Sequence, residues 1–174
     1  PTINGLYKEG IIYTGFLFFG LISVNGDPFV IEYNCRMGDP ESEVIVVRLE
    51  NDLIGLCAAA TNQELDQVKL RVDPRFAATI MAVSRGYPHG YEKGYEITGL
   101  NEKYGKHSHV FHAGTKEEDG KIVTNGGRVI CVTSLNKDLE EAINTSLDIM
   151  DNIDFDGIYY RKDIGYEFLP LPPQ

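Results

Sequence analysis

The chain has 174 residues, 43% of them hydrophobic and 24% charged, with a formal net charge of −10. That length holds one ordinary domain or two small ones with a real core, and the acidic balance argues against a nucleic-acid-binding face, which needs clustered Lys and Arg. Small anionic substrates remain compatible with it, because a few arginines in a pocket outweigh distant surface charge.

No apolar run reaches spanning length uninterrupted, and no signal-peptide pattern opens the chain, so no membrane partner is expected. Cys35, Cys57 and Cys131 lack metal-ligand spacing and read as reduced thiols of a cytoplasmic protein. The first residue is Pro1, and residues 2–10 read as the tail of an upstream helix and a loop. The sequence therefore predicts that an N-terminal part of the same chain is missing.

Residues 11–22 are apolar in both parities and predict a long strand buried on both faces. Asn25-Gly26-Asp27-Pro28 is a turn signal that returns the chain as an antiparallel strand. Residues 41–49 predict a helix, and Asn51-Asp52 caps a second one over 53–61. A linker follows at 62–66, with the domain boundary at 65/66. Beyond it, strands are expected at 68–72, 77–84, 95–98, 110–116, 121–125 and 128–134, with a loop at 85–94 and a hairpin turn at Glu118-Asp119-Gly120. Residues 138–152 predict one amphipathic helix with Leu139, Ile143, Leu147 and Met150 on its core face. The end, 170–174, is proline-rich.

The most informative stretch is Val30-Ile31-Glu32-Tyr33-Asn34-Cys35-Arg36-Met37-Gly38-Asp39-Pro40-Glu41. Strand alternation places Glu32 and Asn34 on one face, with Cα atoms about 7 Å apart. A carboxylate and an amide oxygen are hard ligands of the kind Mg²⁺ takes, together with substrate phosphates. If the extended chain continues two residues, Arg36 joins that face with a fork suited to phosphate or carboxylate. Gly38 permits a bend, Asp39 suits an N-cap, Pro40 the first helical position, and Glu41 the positive end of the dipole. Asp-Pro-Glu alone could equally be a capped helix start, and Glu-x-Asn alone a solvated strand face.

Two further stretches invite function. Arg85-Gly86-Tyr87-Pro88-His89-Gly90 could bind an anion, because its glycines let backbone N–H groups approach a ligand, or be only a long loop. Asn125-Gly126-Gly127-Arg128 is first a turn, with Arg128 a candidate ribose-phosphate contact. His107-x-His109 has no supporting cluster and reads as surface.

The motif strand resembles the metal- and phosphate-binding strand of the ATP-grasp ligases. Within that superfamily, Asn34-Cys35-Arg36-Met37-Gly38-Asp39-Pro40-Glu41 resembles the glycinamide ribonucleotide synthetase (phosphoribosylamine–glycine ligase) family. Ser84-Arg85-Gly86-Tyr87-Pro88, Phe111-His112-Ala113-Gly114-Thr115, Thr124-Asn125-Gly126-Gly127-Arg128-Val129 and Tyr160-Arg161-Lys162-Asp163-Ile164-Gly165-Tyr166 extend the resemblance over nearly the whole chain, as the C-terminal portion of that enzyme.

The resemblance implies an α+β fold. Residues 1–65 would be the C-terminal part of an ATP-grasp domain, with antiparallel strands plus helices. Residues 66–174 would be a small, mostly antiparallel β domain with one long helix. It implies Glu32 and Asn34 as ligands of Mg²⁺ (or Mn²⁺), Arg36 as the catalytic contact to ATP phosphates, and Asp39 and Glu41 holding a substrate ammonium. Arg85, Gly86, Gly127 and Arg128 would complete substrate binding. The reaction implied joins glycine to 5-phosphoribosylamine at the expense of ATP, a step of purine synthesis. Another ATP-grasp carboxylate–amine ligase or carboxylase, or a non-catalytic nucleotide-binding domain, is the alternative. The family's further acidic ligand on the preceding strand has no counterpart, since residues 13–22 contain no acid. Nothing before Val30 resembles a phosphate loop, so residues 1–174 alone are expected to be catalytically silent.

Overall fold

The computed structural model describes residues 1–100 and 104–169; the expected proline-rich end at 170–174 lies outside them. The fold is α+β, as the sequence predicts. The chain forms two compact units. One comprises Pro1–Ser42 and Leu49–Val72, the other Glu43–Arg48 and the chain from Asp73 onward.

In the first unit, helix α1 spans Thr2–Lys8, strand β1 Phe18–Val24 and strand β2 Asp27–Asn34. The strands pair antiparallel from Val24↔Asp27 to Phe18↔Asn34. Asn25 and Gly26 turn the hairpin at φ 53° and 91°, the left-handed pair a two-residue primed turn requires. The expected doubly buried strand over 11–22 is not found. Strand structure begins only at Phe18, and Leu21, Ile22 and Val24 are exposed. Gly15 at φ 155° and the Tyr13 phenol, which donates to the Phe16 carbonyl at 2.6 Å, fold the preceding segment into a loop. A two-stranded ribbon also offers no second layer to bury its own faces.

Helix α2 (Glu41–Arg48) and helix α3 (Leu53–Thr61) follow. The Asp52 carboxylate caps α3 by accepting from the Ile54 amide at 3.0 Å. Asn51, expected to share that cap, instead accepts from the Arg71 amide at 2.6 Å and donates to the Lys69 carbonyl at 3.1 Å. Its amide thus occupies the backbone groups of 69–71, where a strand was expected, and only Leu49↔Val72 remains as a bridge.

The second unit holds the core. Strands β3 (Phe76–Ser84), β4 (Ser108–His112), β7 (Arg128–Asn136) and β8 (Ile158–Tyr159) form an antiparallel sheet in the order β4-β7-β3-β8. Helix α4 (Leu139–Met150) packs on it, capped by Asp138, whose carboxylate accepts from the Glu141 amide at 3.1 Å. Ile143 and Met150 of the expected stripe are buried, with Leu139 and Leu147 at its edge. Ile80, Ala82, Val129, Ile130, Val132, Met150 and Phe155 build the main core.

The expected strand over 110–116 is broken in two. Residues up to His112 pair with β7, while β5 (Thr115–Glu118) pairs with β6 (Lys121–Thr124) as a separate hairpin. Gly114 is the reason. A Cβ there would lie 2.5 Å from the Arg128 carbonyl oxygen and 2.5 Å from Gly126 Cα, so two backbones cross where side chains cannot fit. The segment 95–98 is likewise no strand, and makes only the bridges Glu96↔Val123 and Thr98↔Asp154.

Candidate functional site

Strand geometry places Glu32 and Asn34 on one face of β2, and their side chains meet: the Asn34 amide Nδ2 donates to Glu32 Oε1 at 3.0 Å. Glu32 Oε2 and Asn34 Oδ1 are further oxygens on that face, a hard donor set that fits a magnesium-like cation. Arg36 lies in a bend directly after β2, so the extended chain does not continue to it as expected; it is exposed, with Nη1 donating to the Met37 carbonyl at 3.0 Å.

The turn after Arg36 differs in detail from the sequence expectation. Asp39 and Pro40 form a turn joined by a cis peptide bond, and Glu41 is the first helical residue. The buried Gly38 carbonyl accepts from the Ser42 amide at 3.0 Å and the Ser42 hydroxyl at 2.5 Å, which starts α2. Gly38 takes no positive φ; what it provides is room. A Cβ there would lie 2.2 Å from Glu41 Oε2, so the Glu41 carboxylate folds back over the glycine.

Two residues that sequence reasoning passed over support this stretch. The Tyr13 phenol lies 2.9 Å from the Cys35 carbonyl oxygen, between Asn34 and Arg36. Gly20 sits opposite Glu32 in the hairpin register. A glycine inside a strand pattern was the signal available for the second.

In the second unit, three of the downstream motifs converge. Buried Ser84 donates from its amide to the Gly127 carbonyl at 2.8 Å and from its hydroxyl to the Gly126 carbonyl at 2.9 Å. Gly127 lies under the Tyr87 and Tyr91 rings, with a Cβ there only 2.2 Å from Tyr87 Cδ2. Gly114 brings the Phe111–Thr115 motif against Gly126. Arg85, Gly86 and Gly127 are thus gathered in one loop cluster, and Arg128 begins β7 directly after it. Gly86, at φ 93°, has no room for a side chain, since a Cβ would meet the Gly90 carbonyl oxygen at 2.3 Å.

Arg85, Tyr91, Glu92, Tyr95, Asp156 and Gly157 line a cleft of about 280 Å³. The Tyr95 phenol donates to the Glu92 carboxylate, which pushes the phenol up from its ordinary value. The fourth motif is scaffold: Arg161 grips Asp163 through two bonds of 2.9 Å, lowering that carboxyl, and Gly165 lies against Ile143 of α4. Burial and then the Asp151 carboxylate push the Tyr160 phenol up to about 12.

The candidate residues fall into two groups. Glu32, Asn34, Arg36, Asp39 and Glu41 belong to the first unit; Arg85, Gly86, Gly127 and Arg128 belong to the second.

The described residues thus form an α+β fold with a carboxylate–amide pair on one strand and glycine-built loops. Residues 77–167, more than half of the chain, match the family described as phosphoribosylglycinamide synthetase, C domain. Residues 1–42 match that family's ATP-grasp (A) domain. The chain belongs to the phosphoribosylglycinamide synthetase family.

It is 48% identical over 167 residues to the phosphoribosylamine–glycine ligase of Vibrio parahaemolyticus, covering 95% of this chain and 39% of that protein. It is 46% identical to the ligase of Pseudomonas aeruginosa, with the same coverage. The crystal structure of the Thermotoga maritima phosphoribosylamine–glycine ligase superposes with a TM-score of 0.78 at 39% identity, over 93% of this chain and 40% of that one. The chain thus spans about two fifths of the length of the relatives it matches. None of the helices among the described residues is long and apolar enough to cross a membrane.

Proposed function

We propose that this chain is the C-terminal part of a cytoplasmic, ATP-dependent ligase that joins glycine to 5-phosphoribosylamine. The products are glycinamide ribonucleotide, ADP and phosphate. The observation that carries the proposal is the contact between Glu32 and Asn34, 3.0 Å apart on one face of β2, with Arg36 just beyond. The family matches at 1–42 and 77–167 fall on either side of the proposed boundary between residues 1–65, the end of the ATP-grasp domain, and 66–174, the C-terminal domain. The apolar residues left exposed on both faces of β1 and β2, Phe29 and Ile31 among them, support a place for this ribbon inside a larger domain.

The chemistry follows from the weakness of a carboxylate as an electrophile. A glycine carboxylate oxygen attacks the γ-phosphorus of ATP and ADP leaves, giving glycyl phosphate. The amine of phosphoribosylamine then attacks the acyl carbon, phosphate leaves, and the amine proton passes to solvent. Glu32 and Asn34 would hold Mg²⁺ (or Mn²⁺), which when bound neutralises charge on the phosphate oxygens. Arg36 places its guanidinium on the transferring phosphoryl group. Asp39 and Glu41 face the glycine ammonium, and the Arg85–Gly86 and Gly127–Arg128 cluster receives the phosphoribosyl end. Little proton transfer is asked of the protein; alignment of the reactants does most of the work.

Replacing Glu32 by Gln in the full-length ligase tests this. The amide keeps the shape but removes the charge that attracts the cation. Turnover is expected to fall by orders of magnitude while the fold survives; unchanged turnover at saturating Mg²⁺ removes Glu32 from the ligand set.

A further inference from the structure

Gly20 faces Glu32 directly across the β1–β2 hairpin. A Cβ on Gly20 would lie 2.9 Å from Glu32 Cγ and 3.6 Å from the Glu32 backbone nitrogen and oxygen. The Glu32 side chain therefore lies down over the Gly20 backbone, in the space any other residue would fill. Gly20 takes no positive φ, so its backbone makes no demand that alanine could not meet. Glycine in a strand interior weakens the strand; here the missing Cβ is what the position uses.

A second feature of the same pair acts on the same side chain. The register runs Gly20↔Glu32 and then Leu21↔Val30, so Ile31 is an extra residue on β2 immediately beside Glu32. Such a bulge bends the strand and re-aims the neighbouring side chain. The bulge turns Glu32, the glycine receives it, and the Asn34 amide meets its carboxylate at 3.0 Å.

We infer that Gly20 is a positioning residue for the metal-binding carboxylate: it provides the berth in which Glu32 lies beside Asn34, so that oxygens of both side chains can reach one divalent cation. The inference rests on the proposal that Glu32 and Asn34 are the metal ligands. Gly20 itself touches neither cation nor substrate, and acts only through where it lets Glu32 lie.

Two measurements on the full-length ligase test it. The first is a double-mutant cycle in urea without metal, combining Gly20→Ala with Glu32→Ala. Glu32→Ala has no Cγ to clash. Gly20→Ala is expected to destabilise the native protein, or prevent its folding, yet to be neutral or stabilising in the Glu32→Ala background. Equal effects in the two backgrounds overturn the berth.

The second is Mn²⁺ binding in the presence of ADP, followed by electron paramagnetic resonance. Gly20→Ala is expected to weaken Mn²⁺ by about tenfold or more, the size of effect seen when a group orienting a ligand is lost. The Mg²⁺ requirement for turnover should rise in parallel, with the KM for glycine unchanged at saturating Mg²⁺. Should Gly20→Ala fail to fold alone, Gly20→Ala with Glu32→Ala, which has no Cγ to clash, takes its place against Glu32→Ala, and equal Mn²⁺ affinity in that pair is the expected result. Coupled stabilities with undiminished Mn²⁺ affinity in both Gly20→Ala and Glu32→Ala show that Glu32 is no ligand, and the metal proposal falls with the inference.

Discussion

The Tyr13 hydroxyl lies 2.9 Å from the Cys35 carbonyl oxygen and 2.6 Å from that of Phe16. One phenol proton thus ties the loop before β1 to the end of β2, at the residue between Asn34 and Arg36. Gly15 makes this possible: a Cβ there would lie 2.8 Å from the phenol oxygen. Tyr13→Phe removes only the hydroxyl. We expect a loss of about 1 kcal/mol in urea unfolding, with turnover of the full-length ligase falling by more than stability explains. A variant with native stability and turnover would show that the tie holds nothing in place.

Asp73 gives a pH dependence of defined sign. The Arg75 side chain, with its Nε 3.0 Å and its Nη2 2.5 Å from the Asp73 carboxylate, and the Arg75 amide at 2.9 Å, hold the Asp73 pKa down, from 3.8 to about 2. A depressed carboxyl contributes stability that is present above its unfolded value and lost as pH falls through its folded value. The urea midpoint should therefore drop between about pH 4 and pH 2, and Asp73→Asn should flatten that drop. An identical acid limb in the variant assigns the acid sensitivity elsewhere.

Glu43 carries the opposite situation. Its Oε2 is buried and has no hydrogen-bond partner among the described residues. A buried polar atom left unpaired costs about 1–3 kcal/mol, more when charged. Glu43→Gln keeps the shape without the charge, and we expect the urea midpoint to rise. A clear fall would mean that the carboxylate has a partner, such as an ordered water.

The sequence made some of this legible and hid the rest for physical reasons. Asn25-Gly26 marked the hairpin because few residue pairs tolerate two left-handed conformations in a row, and Asp52 marked a helix start because a short carboxylate can reach the free amides. The Glu32–Asn34 face followed from a period of two. The strand at 110–116 could not be divided correctly, since only the backbone crossing at Gly114 and Gly126 cuts it. Residues 11–22 misled because apolar composition reports a need for burial, and the hairpin leaves Leu21 and Ile22 exposed. Tyr13 and Gly20 act through a carbonyl and an empty space, which composition does not record.

Residues 1–174 by themselves should neither bind Mg-ATP at sub-millimolar concentration nor release phosphate with glycine. A pair such as Glu32 and Asn34 holds Mg²⁺ weakly without substrate phosphates, and the alignment of reactants, worth about 7–11 kcal/mol of barrier, requires a nucleotide site. Calorimetry with Mg-ATP checks this. Tight binding would place the nucleotide site within this chain.

The most direct measurement is phosphate release by the full-length ligase with ATP, phosphoribosylamine and a panel of acyl donors. Release should require glycine together with phosphoribosylamine, and should stay at background with other amino acids or with bicarbonate. Release that bicarbonate supports as well as glycine, or that glycine does not support, would contradict the proposed reaction.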